Sequence, residues 1–269
     1  MTSAAPRKIA VTSTDGTPIA VSVRGGGPPL LVVHGSLSSA DDWQTLADVL
    51  AQDLTVYTVD RRGRGASGDG ADFSLQREQE DIEAVLDLIG PETVVFAHSY
   101  GAFIVLGVAA ARPLRGLIIY EPAPPLDGPI FGSTVDAYQE LVDAGDLDGA
   151  LAYGMLHFVK FTPEQVDQFR GTPAWSSLAV LTPTWGRELA AIDAAEPGLD
   201  CYRGISAPTM MLVGELSPDW LVEVSRRLHA TVSGSRLVTL AGQAHDAHTF
   251  APKALVEEIV GFVRGLGEP

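Results

Sequence analysis

The five residues Ala97-His98-Ser99-Tyr100-Gly101 carry the most direct chemical signal in the chain. They follow the apolar run Thr93-Val94-Val95-Phe96 and precede a helical pattern from Ala102 to Ala111. A serine at a strand-to-helix turn sits in a cramped backbone. Small residues two before and two after it avoid collision with the neighbouring strand and helix, and here these are Ala97 and Gly101. The turn directs the Ser99 hydroxyl to a helix N-terminus, where backbone N–H groups favour developing negative charge. Ser99 is therefore the candidate nucleophile. A helix-capping serine would share the local pattern, but the strand before it and its place amid alternating strands and helices favour the nucleophile.

A serine hydroxyl is a weak nucleophile near neutral pH and needs an adjacent base. Leu237 to Leu240 reads as a strand, Ala241 to Ala244 as a turn, and His245 follows just before a C-terminal helix. His245 is the expected base and His248 its rival. Adjacent residues at a tight turn point apart, so His98 reads as a neighbour of the nucleophile and not as its base. His245 and His248 lack further ligands at a metal-binding spacing, and neither metal nor cofactor is expected. In Val32-Val33-His34-Gly35-Ser36, Gly35 permits a sharp turn. The backbone N–H groups of Ser36 and Tyr100 are the expected oxyanion donors, with Leu37 as the alternative to Ser36.

These residues need elements to hold them. Lys8 to Thr14 and Thr17 to Val23 are β-branched runs split by Asp15-Gly16, a hairpin signal. Six short apolar runs follow: Leu30 to Val33, Thr55 to Val59, Thr93 to Ala97, Leu117 to Tyr120, Thr209 to Val213 and Leu237 to Leu240. Strands without polar alternation are covered on both faces, as in parallel sheets. Helical patterns at Gln44 to Gln52, Leu75 to Ile89, Ala102 to Ala111 and Pro252 to Leu266 alternate with them, which predicts a doubly wound, mostly parallel α/β sheet. The alternation fails from about Leu126 to Ile205, a helical stretch punctuated by Pro163, Pro173, Pro183 and Pro197. The expected organisation is a core of residues 1–125 and 206–269 with a helical lid, 126–205, inserted between two strands.

The 269 residues, 46% of them hydrophobic, suffice for one large core with an embedded subdomain. The net charge of −16 argues against nucleic acid or an anionic membrane surface as partner. No apolar run approaches membrane-spanning length, and Met1 to Arg7 has no apolar stretch after its basic residues, so a cytoplasmic protein acting on a small molecule is expected. The single cysteine, Cys201, cannot form an internal disulfide and reads as a semi-buried small hydrophobe. Nothing in the sequence sets the oligomeric state.

Together, His34-Gly35, Asp60-Arg61-Arg62-Gly63-Arg64-Gly65-Ala66-Ser67, the Ser99 segment and Gly242-Gln243-Ala244-His245 resemble the α/β-hydrolase superfamily over nearly the whole chain. The resemblance implies the α/β-hydrolase fold and a triad in the order Ser, acid, His. It implies a fold-shaping role for the Asp60 loop, whose arginines would otherwise be solvated. The family usually places the acid in a G-x-x-D pattern after the seventh strand. Here that segment is Gly214-Glu215-Leu216-Ser217, with Asp219 two residues late. A second location in the superfamily is the end of the sixth strand, where Glu121 directly follows a buried run. An unpaired carboxylate there would be costly. This placement resembles zearalenone-type lactone hydrolases and some haloalkane dehalogenases, and points to Ser99–Glu121–His245, with Asp219 as the alternative acid.

The implied reaction is acyl transfer to water through an acyl-enzyme, on a small or medium carboxylic ester or lactone. The lid aromatics suggest an apolar substrate pocket, with Trp185 as its candidate residue. The alternatives are a non-hydrolytic enzyme on the same scaffold (a lyase, C–C hydrolase or cyclase of a biosynthetic pathway) and a ligand receptor that retains the triad.

Overall fold

The computed structural model describes residues 5–267; residues 1–4, part of the segment read for a leader, lie outside them. The chain divides into two compact units. The first takes in the chain up to Gly35, Ser39–Pro124 and everything from Leu199 onward; the second is Ser36–Ser38 with Pro125–Gly198. Leu199 to Ile205 thus belongs to the first unit.

Among the described residues the first unit holds eight strands: β1 (Arg7–Thr12), β2 (Pro18–Gly25), β3 (Pro29–Val33), β4 (Thr55–Val59), β5 (Val94–His98), β6 (Gly116–Tyr120), β7 (Thr209–Gly214) and β8 (Arg236–Leu240). They form one sheet in the order β1-β2-β4-β3-β5-β6-β7-β8. The first two pairings are antiparallel and the remaining five parallel. Among the helices of the chain, this unit contributes α1 (Gln44–Leu50), α2 (Leu75–Ile89), α3 (Ser99–Ala111), α9 (Asp219–Thr231), α10 (Ala247–Phe250) and α11 (Pro252–Gly265). The second contributes α4 (Thr134–Asp143), α5 (Leu147–His157), α6 (Pro163–Arg170), α7 (Pro173–Ala179) and α8 (Thr182–Ala194).

Strands β3, β5, β6 and β7 are buried along almost their whole length, as their unbroken apolar character requires. Alternate residues such as Leu30, Val32, Phe96, Ile118 and Leu212 join Leu46, Leu50, Leu255 and Ile259 of α1 and α11 in one core. The sequence expectation fails for β8, which is only partly buried. It pairs with β7 alone and ends the sheet, so its apolar residues are not covered on every side. The bounds of α2 follow local signals: Ser74 caps it by accepting from the Arg77 N–H at 3.1 Å, and Gly90 ends it at φ +111°. In the second unit Tyr138, Leu151, Phe158, Trp175, Trp185 and Leu189 form a separate apolar core. Among the described residues, no helix is long and apolar enough to cross a membrane.

The Asp60 loop is a buried structural element and not the solvated turn that is the alternative to a fold-shaping role. Arg61, Arg62 and Arg64 are buried, each 2% exposed or less. Burial is tolerable because charge partners arrive from distant sequence. Arg62 binds Asp81 of α2 through two parallel bonds, Nε to Oδ2 and Nη2 to Oδ1, both 2.7 Å. Its Nη1 also reaches Asp15 in the β1–β2 turn at 3.0 Å. Asp60 holds the loop from within, accepting from the amides of Ala40 at 2.8 Å and Ala66 at 3.0 Å. Truncating Arg62 to Met should leave Asp81 buried and uncompensated, a loss of about 3–5 kcal/mol. Urea unfolding should show it, and Arg62→Lys should recover little because lysine cannot reproduce the two-pronged contact. A loss near zero would show that the pair carries no stability.

Candidate active site

Strand β5 ends at His98 in ordinary extended backbone, φ −121°, and Ser99 turns abruptly to φ +55° as α3 begins. This left-handed region is uncommon for a residue with a Cβ, and such strain clusters at functional sites. A Cβ on Gly101 would lie 2.3 Å from the His34 carbonyl oxygen. One on Gly35 would lie 2.8 Å from the Ser99 Cβ. Only glycines allow the end of β3 and the start of α3 to approach this closely. Ser99 is partly exposed, and the Tyr100 amide lies in the first turn of α3, where no intrahelical acceptor exists. The Tyr100 side chain is buried beneath the Arg61 guanidinium, 4.9 Å from its ring centre.

Glu121 repeats this construction one strand over. It follows β6, has φ +47° and is fully buried. Its Oε2 accepts a hydrogen bond from His245 Nδ1 at 2.5 Å. Its Oε1 accepts from the Gly214 amide at 2.6 Å and from the Ser217 hydroxyl at 2.5 Å. Ser217, at the position where the resemblance directs the search for an acid, is thus a hydrogen-bond donor to the Glu121 carboxylate. A carboxylate only accepts, so Nδ1 of His245 must carry a hydrogen, and in the neutral ring Nε2 is then the acceptor. The His245 side chain is 27% exposed, whereas Glu121 is 0% exposed. No hydrogen bond joins Ser99 to His245 among the described residues; such bonds are often long before substrate binds. Asp219 is exposed at the first position of α9 and makes no ion pair with His245 among the described residues.

The structure places the other candidates as follows. His248 stacks on Trp43, with ring centres 4.1 Å apart and planes within 4°. Leu37 has φ +50°, and Ser36 belongs with it to the second unit. Trp185 is a core residue of that unit, edge-on to Tyr138 and Phe158 and packed on Gly154. Cys201 is exposed, not semi-buried, because its short 3-10 turn, Asp200–Tyr202, buries Tyr202 instead. The sequence does not record three contacts around Glu121 and His245: His98 with the main-chain oxygen of His245, Tyr120 with that of Ala244, and Ser217 with the Glu121 carboxylate. The available signal was a polar-tipped residue closing an apolar strand, His98 in β5 and Tyr120 in β6.

Burial holds His34 and His98 well below the ordinary imidazole range and takes His248 down to about 4. In the unfolded chain each histidine takes a proton near pH 6.5. The folded protein binds fewer protons below that pH, so these groups contribute full stability above about pH 6.5 and lose it as pH falls toward 4. Thermal unfolding should show Tm falling by several degrees, as an order of magnitude, between about pH 6.5 and 4.5. A Tm constant across that window would contradict neutral buried imidazoles.

The profile of the alpha/beta hydrolase family matches residues 30–258. The chain belongs to this family. The solved structure of an α/β hydrolase from Sphaerobacter thermophilus DSM 20745 is 33% identical and superposes with a TM-score of 0.84, covering 94% of this chain and 99% of that one. Lipase LipV of Mycobacterium tuberculosis is 26% identical over 259 residues, 89% of this chain and 93% of its own. A non-heme haloperoxidase of Rhodococcus erythropolis is 24% identical over 94% of this chain and 98% of its own. An esterase from Exiguobacterium antarcticum shares the fold, with a TM-score of 0.76 at 23% identity over 95% of this chain and 98% of that one.

Proposed function

We propose that this family member is a serine hydrolase that cleaves small or medium carboxylic esters or lactones. Ser99 is its nucleophile, His245 its base and Glu121 the acid that orients the base. The observation that carries this reading is the Glu121–His245 contact of 2.5 Å, with the second carboxylate oxygen occupied by Gly214 and Ser217. That contact leaves Nε2 of His245 free to take the Ser99 proton. Ser99 Oγ then attacks the substrate carbonyl. The oxyanion is met by the Tyr100 amide and by a second amide that the sequence assigns to Ser36 or Leu37. His245 returns the proton to the departing alcohol, then activates a water that releases the acid and frees Ser99.

The helical unit is assigned the role of lid from its place in the chain, since it is inserted between β6 and β7, just after Glu121. The relatives' names, lipase and esterase, agree with carboxylic ester substrates. The test is turnover of p-nitrophenyl acetate, p-nitrophenyl butyrate and a lactone panel, with Ser99→Ala as control. Ser99-dependent release of acid is expected. Tight binding of these compounds without turnover would replace the hydrolase with a receptor.

A further inference from the structure

His98 and Tyr120 are register partners at the ends of the adjacent parallel strands β5 and β6. Each is followed at once by a residue in the left-handed region, Ser99 after His98 and Glu121 after Tyr120. Both side chains reach the same short loop, which joins β8 to α10 and carries His245. His98 Nε2 lies 3.0 Å from the main-chain oxygen of His245. The Tyr120 hydroxyl donates to the main-chain oxygen of Ala244. A carbonyl only accepts, so Nε2 of His98 must carry its hydrogen. The His98 ring also packs 4.3 Å from the His245 ring, 5.1 Å from Tyr120, 5.0 Å from His248 and 5.5 Å from Trp43, measured between centres.

We propose that His98 and Tyr120 are positioning residues that clamp two consecutive carbonyls of the loop and so set the His245 ring between Ser99 and Glu121. The proposal rests on the Ser99–Glu121–His245 reading above. The Glu121 contact fixes one ring nitrogen, but a ring held at one atom can still swing about it. The clamp fixes the backbone from which the ring projects. It also ties the base to the two strand ends that carry the other groups, so one rigid sheet edge sets all three positions. Sites built on such elements hold their geometry more closely than sites on free loops.

The chemistry of each donor suits the task. Burial holds His98 well below the ordinary imidazole range, so it remains a neutral donor beside a base that becomes charged during the reaction. Burial, and then the Glu121 charge, push the Tyr120 phenol far above its usual value, so its hydrogen is retained. Neither group takes a proton from substrate or gives one to it.

The experiment compares His98→Phe, His98→Gln and Tyr120→Phe with the parent, on the best ester found and in the rate of Ser99 labelling by a fluorophosphonate. His98→Phe keeps an aromatic ring and removes the donor. His98→Gln places an amide N–H at about the reach of Nε2. A displacement of about 1 Å in the base is worth on the order of 100-fold. His98→Phe should therefore lower kcat and the labelling rate by about 10- to 100-fold, with KM within about twofold. His98→Gln should recover most of that loss. Tyr120→Phe deletes one oxygen, keeps the packing and should lower kcat in the same direction, so it carries the test if His98→Phe does not fold. The double variant should lose less than the product of the two single losses, because both act through one loop. Parental kcat and labelling in His98→Phe and Tyr120→Phe would overturn the clamp while leaving the triad standing. So would a kcat loss in His98→Gln as deep as in His98→Phe, which would make packing the cause. Failure of the parent to label at Ser99 would remove the triad reading and the clamp with it.

Discussion

Replacing Ser99 by alanine is expected to lower kcat by about 10⁶-fold on the best ester substrate, the order of loss seen when a serine hydrolase loses its nucleophile. The substitution should leave folding almost untouched. The Ser99 side chain is partly exposed and makes no hydrogen bond to His245 among the described residues. Alanine has the same Cβ, so the φ of +55° and the close approach of Gly35 are unchanged by it. The two measurements together are decisive: steady-state kinetics should collapse while Tm stays within a few degrees. Activity within about tenfold of the parent would exclude covalent chemistry at Ser99.

Glu121→Gln should come next in size, with kcat falling by as much as about 10⁴-fold. The reason lies in which oxygen is replaced. Oε1 accepts from Gly214 and Ser217, so the amide oxygen of a glutamine would take that place. Its NH₂ would then face Nδ1 of His245, where Oε2 now accepts. Two donors cannot pair, so Nδ1 would give up its hydrogen and Nε2 would carry it. His245 would then face Ser99 with a hydrogen where it needs a lone pair. The side chain keeps its size and all three partners, the contact to His245 with its direction reversed, so stability should change little. Asp219→Asn, at an exposed helix start, should be mild. A severe loss in Asp219→Asn with a mild one in Glu121→Gln would return the acid to its more usual location after β7.

The fold was legible wherever local chemistry decides structure. Helical spacing from Leu75 to Ile89 marks α2 in the sequence, and unbroken apolar runs mark β3, β5, β6 and β7. The contact between Glu121 and His245 was legible for a different reason. A carboxylate at the end of a buried strand needs a partner, and Ser217 stood where another acid was looked for. What escaped the sequence depends on distant partners. The burial of Arg62 is set by Asp15 and Asp81, and that of Arg61 by Glu78, whose approach no local pattern records. The exposure of β8 depends on its place at the end of the sheet, which follows from strand order and not from its own residues. Sequence adjacency marks His98 only as a neighbour of Ser99 and not as its base, and gives no sign of its contact with the His245 loop. The return of the His245 loop over the ends of β5 and β6 is what brings it into contact.

Covalent labelling of Ser99 tests the central claim most directly. The protein, incubated with a fluorophosphonate near neutral pH, should gain the mass of one phosphonyl group and lose in parallel the ester hydrolysis proposed for it. Peptide mapping should put that mass on Ser99, Ser99→Ala should stay unmodified, and Glu121→Gln should label far more slowly than the parent. Labelling of Ser99→Ala at the parental rate, or a modified parent peptide that does not contain Ser99, would contradict the account.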